Sequence, residues 1–246
     1  PTKILDLSPS PTIELGDLGA FDDSGVMPHS LVDVEGSKYL YYTGWSKTVD
    51  VPFAFHIGLA RKNNEGGSFE RVSRAPVLGR NQFDPFITGA PCVLFENGLF
   101  KMWYVSATKW IKDGESEGKA KHYYTIKFAT SADGIQWNCS NELCIDYRKN
   151  EYALARPVVW KHNGAYEMWF TFRGGENSYR IGLARSVDGK TWDRLEDNLN
   201  IEVSNEGWDS EMICYAYPID FNGTLYALYN GNSYGSTGIG LAKCES

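Results

Sequence analysis

The chain has 246 residues, 42% of them hydrophobic and 14% aromatic, with a formal net charge of −7. That is enough apolar material to build a sizeable core, and one domain spanning residues 1–246 is expected. The acidic balance argues against a nucleic-acid partner, which needs clustered Lys and Arg, and no apolar run approaches the roughly 18 residues of a membrane span.

In chain order, Thr2 to Leu7 alternates like one strand and has no partner of its own near the N-terminus. Pro9, Pro11, Gly16 and Gly19 make Ser8 to Gly19 a connecting loop. Four units then follow, at approximately 20–75, 83–145, 150–200 and 207–246. The third is the most legible: Arg156-Pro157-Val158-Val159, Asn163-Gly164, Tyr166 to Phe170, Arg180 to Ser186 and Asp188 to Trp192. Each apolar piece is short, rich in β-branched and aromatic residues, and bounded by Gly, Asn or Asp. Short strands joined by tight turns read this way.

Aligning the units on Pro28, Pro91, Pro157 and Pro218 gives spacings of 63, 66 and 61 residues. The second strands are Tyr39 to Tyr42, Phe100 to Tyr104, Tyr166 to Phe170 and Leu225 to Tyr229. The third strands are Ile57 to Ala60, Ile126 to Ala129, Ile181 to Ala184 and Ile239 to Ala242, three of them reading Ile-Gly-Leu-Ala. The fourth strands are entered through Asn64 to Phe69, Asp133 to Trp137 and Asp188 to Trp192. A single four-stranded sheet cannot bury its own faces, and stacked copies of this length predict an all-β fold, a β-propeller. The fourth unit ends without its last strand. Thr2 to Leu7 either supplies that strand and closes the ring, or is the tail of an absent first unit. An open ring would expose apolar sheet faces and predicts a homo-oligomer that covers them. Lys109 to Lys121 reads as a polar surface lobe at the rim.

Cys92, Cys139, Cys144, Cys214 and Cys244 are odd in number and lack Cys-x-x-Cys spacing, so neither a disulfide framework nor a zinc site is expected, and no cofactor is required. With no signal peptide legible, a cytoplasmic location is expected.

In a propeller the first strand of each blade lines the central channel. The segments leading into those strands carry Asp22 and Asp23, Asp84, Glu151, and Asp209 with Glu211, all five to nine residues before the aligned proline. Converging carboxylates suit glycoside cleavage, in which one is ionised as base or nucleophile and another keeps a proton for the leaving oxygen. Crowding in a funnel splits their pKa values in that sense. Arg156 either orients Glu151 or makes a salt bridge between blades.

Asp23-Ser24-Gly25-Val26, Ala155-Arg156-Pro157, Met168-Trp169, Arg180 to Ala184, Gly207-Trp208-Asp209-Ser210 and Tyr229-Asn230-Gly231-Asn232 resemble predicted glycosidases of the five-bladed β-propeller superfamily, a group similar to glycoside hydrolase families 43, 32 and 130. The resemblance covers essentially the whole chain. It implies a five-bladed ring, of which four blades plus an orphan strand are legible here, and a hydrolase whose base or nucleophile Asp, supporting Asp and acid Glu come from successive blades. By blade position it implies Asp23 and Asp84 as the aspartates and Glu211 as the acid, with Asp209 and Glu151 as competitors.

The expected substrate contacts are Asp22, His29, Trp45, Trp110, Glu151, Arg156, Arg173, Asp209, Asn230 and Asn232. The tryptophans would stack on a pyranose face, whereas Trp103 and Trp169 sit inside strands and read as core. Asn230 and Asn232 have turn chemistry as their competing role. Other functions on this scaffold are a non-catalytic glycan- or protein-binding module, a glycoside phosphorylase using Arg156, Arg173 and His29 for phosphate, or a transferase, for which no nucleotide-sugar motif is present. A sialidase is weaker still: no arginine cluster is evident, and Ser131 to Gly134 and Ser186 to Gly189 resemble Asp-box turns only loosely.

Overall fold

The computed structural model describes residues 4–63, 67–112, 120–162, 164–175, 177–195, 199 and 201–243. Among them it is built almost entirely of β-strands and divides into two compact units, Pro1–Glu142 and Leu143–Ser246. No helix among the described residues is long and apolar enough to cross a membrane.

The first unit holds two antiparallel meanders. One runs through β1 (Gly25–Val34), β2 (Ser37–Ser46), β3 (Ala54–Asn63) and β4 (Glu70–Arg71). The other runs through β5 (Thr88–Glu96), β6 (Leu99–Lys112), β7 (Ala120–Ser131) and β8 (Asn138–Leu143). In the second unit β9 (Glu151–His162), β10 (Ala165–Gly174), β11 (Asn177–Ser186) and β12 (Asp193–Arg194) form the third meander. The fourth, β13 (Cys214–Phe221), β14 (Thr224–Asn230) and β15 (Ile239–Lys243), has three strands.

Local chemistry explains the hairpins. Glu35-Gly36, Asn97-Gly98 and Asn222-Gly223 have positive φ at both residues, which makes two-residue turns whose twist matches the strands they join. The turns leaving β7 and β11 are copies of one another. Ser131 Oγ accepts from Gly134 N (2.9 Å) while Asp133 Oδ1 accepts from the amides of Ile135 and Gln136; Ser186 and Asp188 repeat this with Gly189, Lys190 and Thr191. Those amide donors hold both aspartates below the usual carboxylate range.

Each meander carries a register shift in its first strand. The extra residue falls at His29 in β1, and two residues face one at Ala90-Pro91 opposite Tyr104, Arg156-Pro157 opposite Phe170, and Tyr215-Ala216 opposite Tyr229. Ala90, Arg156 and Tyr215 are left-handed, with φ of 46°, 49° and 57°. These are β-bulges, and a bulge re-aims side chains that a regular strand would alternate.

Opposite the bulge, the aromatic ring of the second strand lies across a glycine of the third. A methyl group on Gly58, Gly182 or Gly240 would overlap Tyr42, Phe170 or Tyr229. This is the physical reason for the recurring Ile-Gly-Leu-Ala. The core of the first unit gathers Val32, Tyr41, Ile57 and Leu59 with Val93, Met102 and Tyr104. That of the second joins Trp169 and Ile181 to Ile213, Ala216 and Ala227.

Two expectations are corrected. Lys109 to Lys121 is not a lobe over its described part: Lys109↔Tyr123 through Lys112↔Ala120 pair as strands, extending the β6–β7 hairpin. Residues 4–7 form no strand, and Ile4, Leu5 and Leu7 are exposed. Residues 2 and 3, part of the turn after Asn63, Asn163 and Cys244 lie outside the described residues.

Candidate functional site

The acidic residues expected at the strand openings fall into two groups. Asp22, Asp84 and Asp209 are buried, and each accepts a hydrogen bond from the tyrosine twenty residues later: Tyr42 (3.0 Å), Tyr104 (3.0 Å) and Tyr229 (3.1 Å). Asp22 also takes Arg71 Nε at 2.8 Å. Asp84, fully buried, takes Ser106 Oγ (2.6 Å), Asn81 Nδ2 (2.9 Å) and Lys127 Nζ (3.2 Å). In the third meander Phe170 has no hydroxyl, and Glu151 is instead held by Arg194 at 2.7 and 2.9 Å, with the guanidinium over the Phe170 ring. These four carboxylates fasten strand openings to their own meanders.

Asp23 and Glu211 are placed differently. Asp23 accepts from Ser24 Oγ (2.7 Å) and from the Gly19 amide (3.0 Å). These bonds, with Lys47 adding attraction, hold it below the usual carboxylate range, so it is ionised at neutral pH. Glu211 is exposed, and its backbone amide donates to Asn232 Oδ1 at 2.8 Å. Asn232 also accepts from the Met212 amide and donates to Gly207 O, so its amide is spent on fixing residues 207–212. Asn230 donates to Tyr234 O.

In the first unit the expected sugar-stacking residues Trp45 and Trp110 belong to one continuous aromatic array. Trp45 contacts Phe53 and Phe55 at 4.9 and 4.8 Å between centroids. Phe53 meets Trp110 (5.5 Å) and His122 (5.4 Å), and His122 stacks on Tyr124 (4.8 Å). Beside it lies an open pocket of about 380 Å³ lined by Ser24, Gly25, Met27, Trp45, Lys47 and Phe53. Phe53, Phe55 and His122 were not singled out from the sequence. Their signal is the pairing of β2 with β3 and of β6 with β7, which brings four short segments to one place.

In the second unit Arg156 and Arg173 stand among tyrosines. Arg156 lies over Tyr215 (5.3 Å), and Arg173 lies over Tyr152 (5.1 Å) and Tyr179 (4.7 Å). Tyr215 stacks on Tyr234 at 6.1 Å. Burial lowers the Arg156 pKa and raises that of Tyr215. His29, at the β1 bulge, is half-buried. Among the described residues no group of three or more His, Cys, Asp or Glu side chains is arranged to hold a metal ion.

One titration follows from the first unit. His56 is mostly buried near Thr88 and Arg80, and burial, with Arg80 second, takes its pKa down to about 4 from 6.5. The unfolded chain therefore binds the extra proton first as pH falls. Stability is expected to drop progressively from about pH 6.5 to about pH 4. Thermal midpoints across that window should fall less steeply in His56→Gln; an unchanged slope would remove His56 as the cause.

No protein-family model matches the chain. Among solved structures it is similar to the BT0996 RGII complex, at 17% identity and TM-score 0.72 over 94% of this chain and 74% of that one. It is similar to a glycoside hydrolase at 16% identity and TM-score 0.70, covering 93% and 72%. A third likeness, at 17% identity and TM-score 0.61 over 91% and 66%, is to a structure from GH130, a family of mannoside phosphorylases containing glycoside hydrolases that target β-1,2 mannosidic linkages in Candida mannan. At these identities the likeness is one of fold. In sequence, the chain is 40% identical over 245 residues to uncharacterized protein MT1551 of Mycobacterium tuberculosis strain CDC 1551 / Oshkosh, and equally to uncharacterized protein Rv1502 of strain H37Rv, covering 99% of this chain and 79% of each relative. The chain belongs to the family of these two mycobacterial proteins.

Proposed function

We propose that the protein is a carbohydrate-active enzyme of the five-bladed β-propeller glycosidase superfamily, hydrolysing a glycosidic bond, with residues 1–246 forming one propeller domain. The observation that carries this reading is the aromatic array Trp45, Phe53, Phe55, Trp110 and His122 next to an open pocket lined by Ser24, the residue after Asp23 in the chain. Flat rings beside a mostly apolar concave opening suit the apolar face of a sugar ring. The fold shared with a glycoside hydrolase supports the same reading.

In this proposal Asp23, ionised by its hydrogen bonds, supplies the base or nucleophile, and Glu211, exposed on a tethered backbone, supplies the proton. Asp84 and Asp209 act as fasteners, and Asn232 positions the Glu211 segment. Trp45, Trp110, His29, Arg156 and Arg173 remain the proposed substrate contacts.

A glycan-binding module without catalysis is the second reading. It is favoured by the ion pairs that occupy Asp22, Asp84 and Glu151. Screening aryl glycosides and oligosaccharides for turnover and for binding separates the two. Trp45→Ala is expected to weaken binding roughly tenfold under both readings. Binding of a glycan with no turnover of any glycoside would leave the module; no binding of any glycan would end both.

A further inference from the structure

Asp209 is 4% exposed and only half satisfied. Oδ2 accepts from Tyr229, whereas Oδ1 is buried and meets no hydrogen-bond donor. A buried carboxylate oxygen left in this way is costly. The other three meanders avoid it with a cation. Arg71 of β4 reaches Asp22, and Arg194 of β12 grips Glu151. Both arginines stand in one register, Arg71 opposite Ala60 and Arg194 opposite Ala184, two positions beyond the glycine under the ring. The second meander solves the problem from the third strand, where Lys127 takes the position of that glycine opposite Tyr104 and reaches Asp84.

The fourth meander has neither device. Gly240 pairs with Tyr229, so no side chain can imitate Lys127. Among the described residues the sheet stops at β15, so no fourth strand brings a residue opposite Ala242. Ile239 on this last strand is 69% exposed. An uncapped edge offers its backbone groups for pairing, and the buried anion behind it specifies one charge at one register position.

We propose that the edge of β15 is a docking site for an extended polypeptide strand, supplied from outside these 246 residues, that carries an arginine or lysine opposite Ala242. Its cation completes Asp209 as Arg71 completes Asp22. The net charge of −7 favours such a basic partner at longer range.

The probe is a synthetic peptide with the sequence of residues 67–74, which contains this protein's own fourth strand, added to the whole chain. Saturable binding is expected, together with new hydrogen-exchange protection confined to those amides of Ile239–Lys243 that face away from β14. The same peptide bearing Arg71→Gln should bind roughly tenfold more weakly. In Asp209→Asn, which keeps an acceptor for Tyr229 and is checked for folding by circular dichroism, the two peptides should bind alike. The proposal is overturned if the β15 amides that face away from β14 are already protected in the chain alone, if the Arg and Gln peptides bind wild type equally, or if Asp209→Asn retains the full preference for arginine.

Discussion

Asp84→Ala is expected to destabilise the protein by about 3–5 kcal/mol, enough to unfold a marginal domain. Asp84 is fully buried and Lys127 is 3% exposed at the side chain, 3.2 Å apart. Removing the carboxylate strands an ammonium away from water and leaves the Tyr104 and Ser106 hydroxyls without their acceptor. The pair itself need not be strongly stabilising, because desolvation offsets much of its attraction. Accordingly Asp84→Ala combined with Lys127→Met should recover much of the loss, and urea unfolding of the single and double variants measures both. If Asp84→Ala costs less than about 1 kcal/mol, Asp84 does not fasten the second meander. If that substitution leaves stability intact yet abolishes turnover, Asp84 returns as a reacting carboxylate.

Glu211→Gln should leave stability nearly unchanged and lower kcat by roughly a hundredfold or more. The contrast follows from placement. The Glu211 side chain is exposed and enters none of the core clusters, while its backbone amide is tied to Asn232. Glutamine preserves shape and that backbone bond but cannot deliver a proton. A substrate with a good leaving group needs less protonation, so the defect should shrink on activated aryl glycosides. Equal defects on activated and unactivated substrates would remove Glu211 as the proton donor. Asp23→Asn should depress turnover on both classes alike, since a missing base or nucleophile is not rescued by the leaving group.

The repeat, the strand order within each meander and the turn positions were legible because they rest on local chemistry. Asn-Gly and Glu-Gly pairs tolerate positive φ, and apolar runs of fixed length become strands whatever lies beside them. Even the fastenings left a trace, since Asp22, Asp84 and Asp209 each precede their tyrosine by twenty residues. Read as a row of acids before a row of prolines, the same residues suggested a shared reactive centre.

What those acids are paired with is a tertiary matter. Arg71 is 49 residues from Asp22, and Arg194 is 43 from Glu151. Only the closing of each sheet brings those cations against the carboxylates. The same holds for Trp45 and Trp110, whose shared array depends on Phe53 and His122 arriving from β3's approach and from β7. Sequence by itself determined that this chain folds as repeated β-meanders with acids at their openings, because periodicity and turn chemistry act over a few residues. Which donors surround each acid was decided by the tertiary structure, because only long-range pairing puts those donors within about 3 Å of a carboxylate.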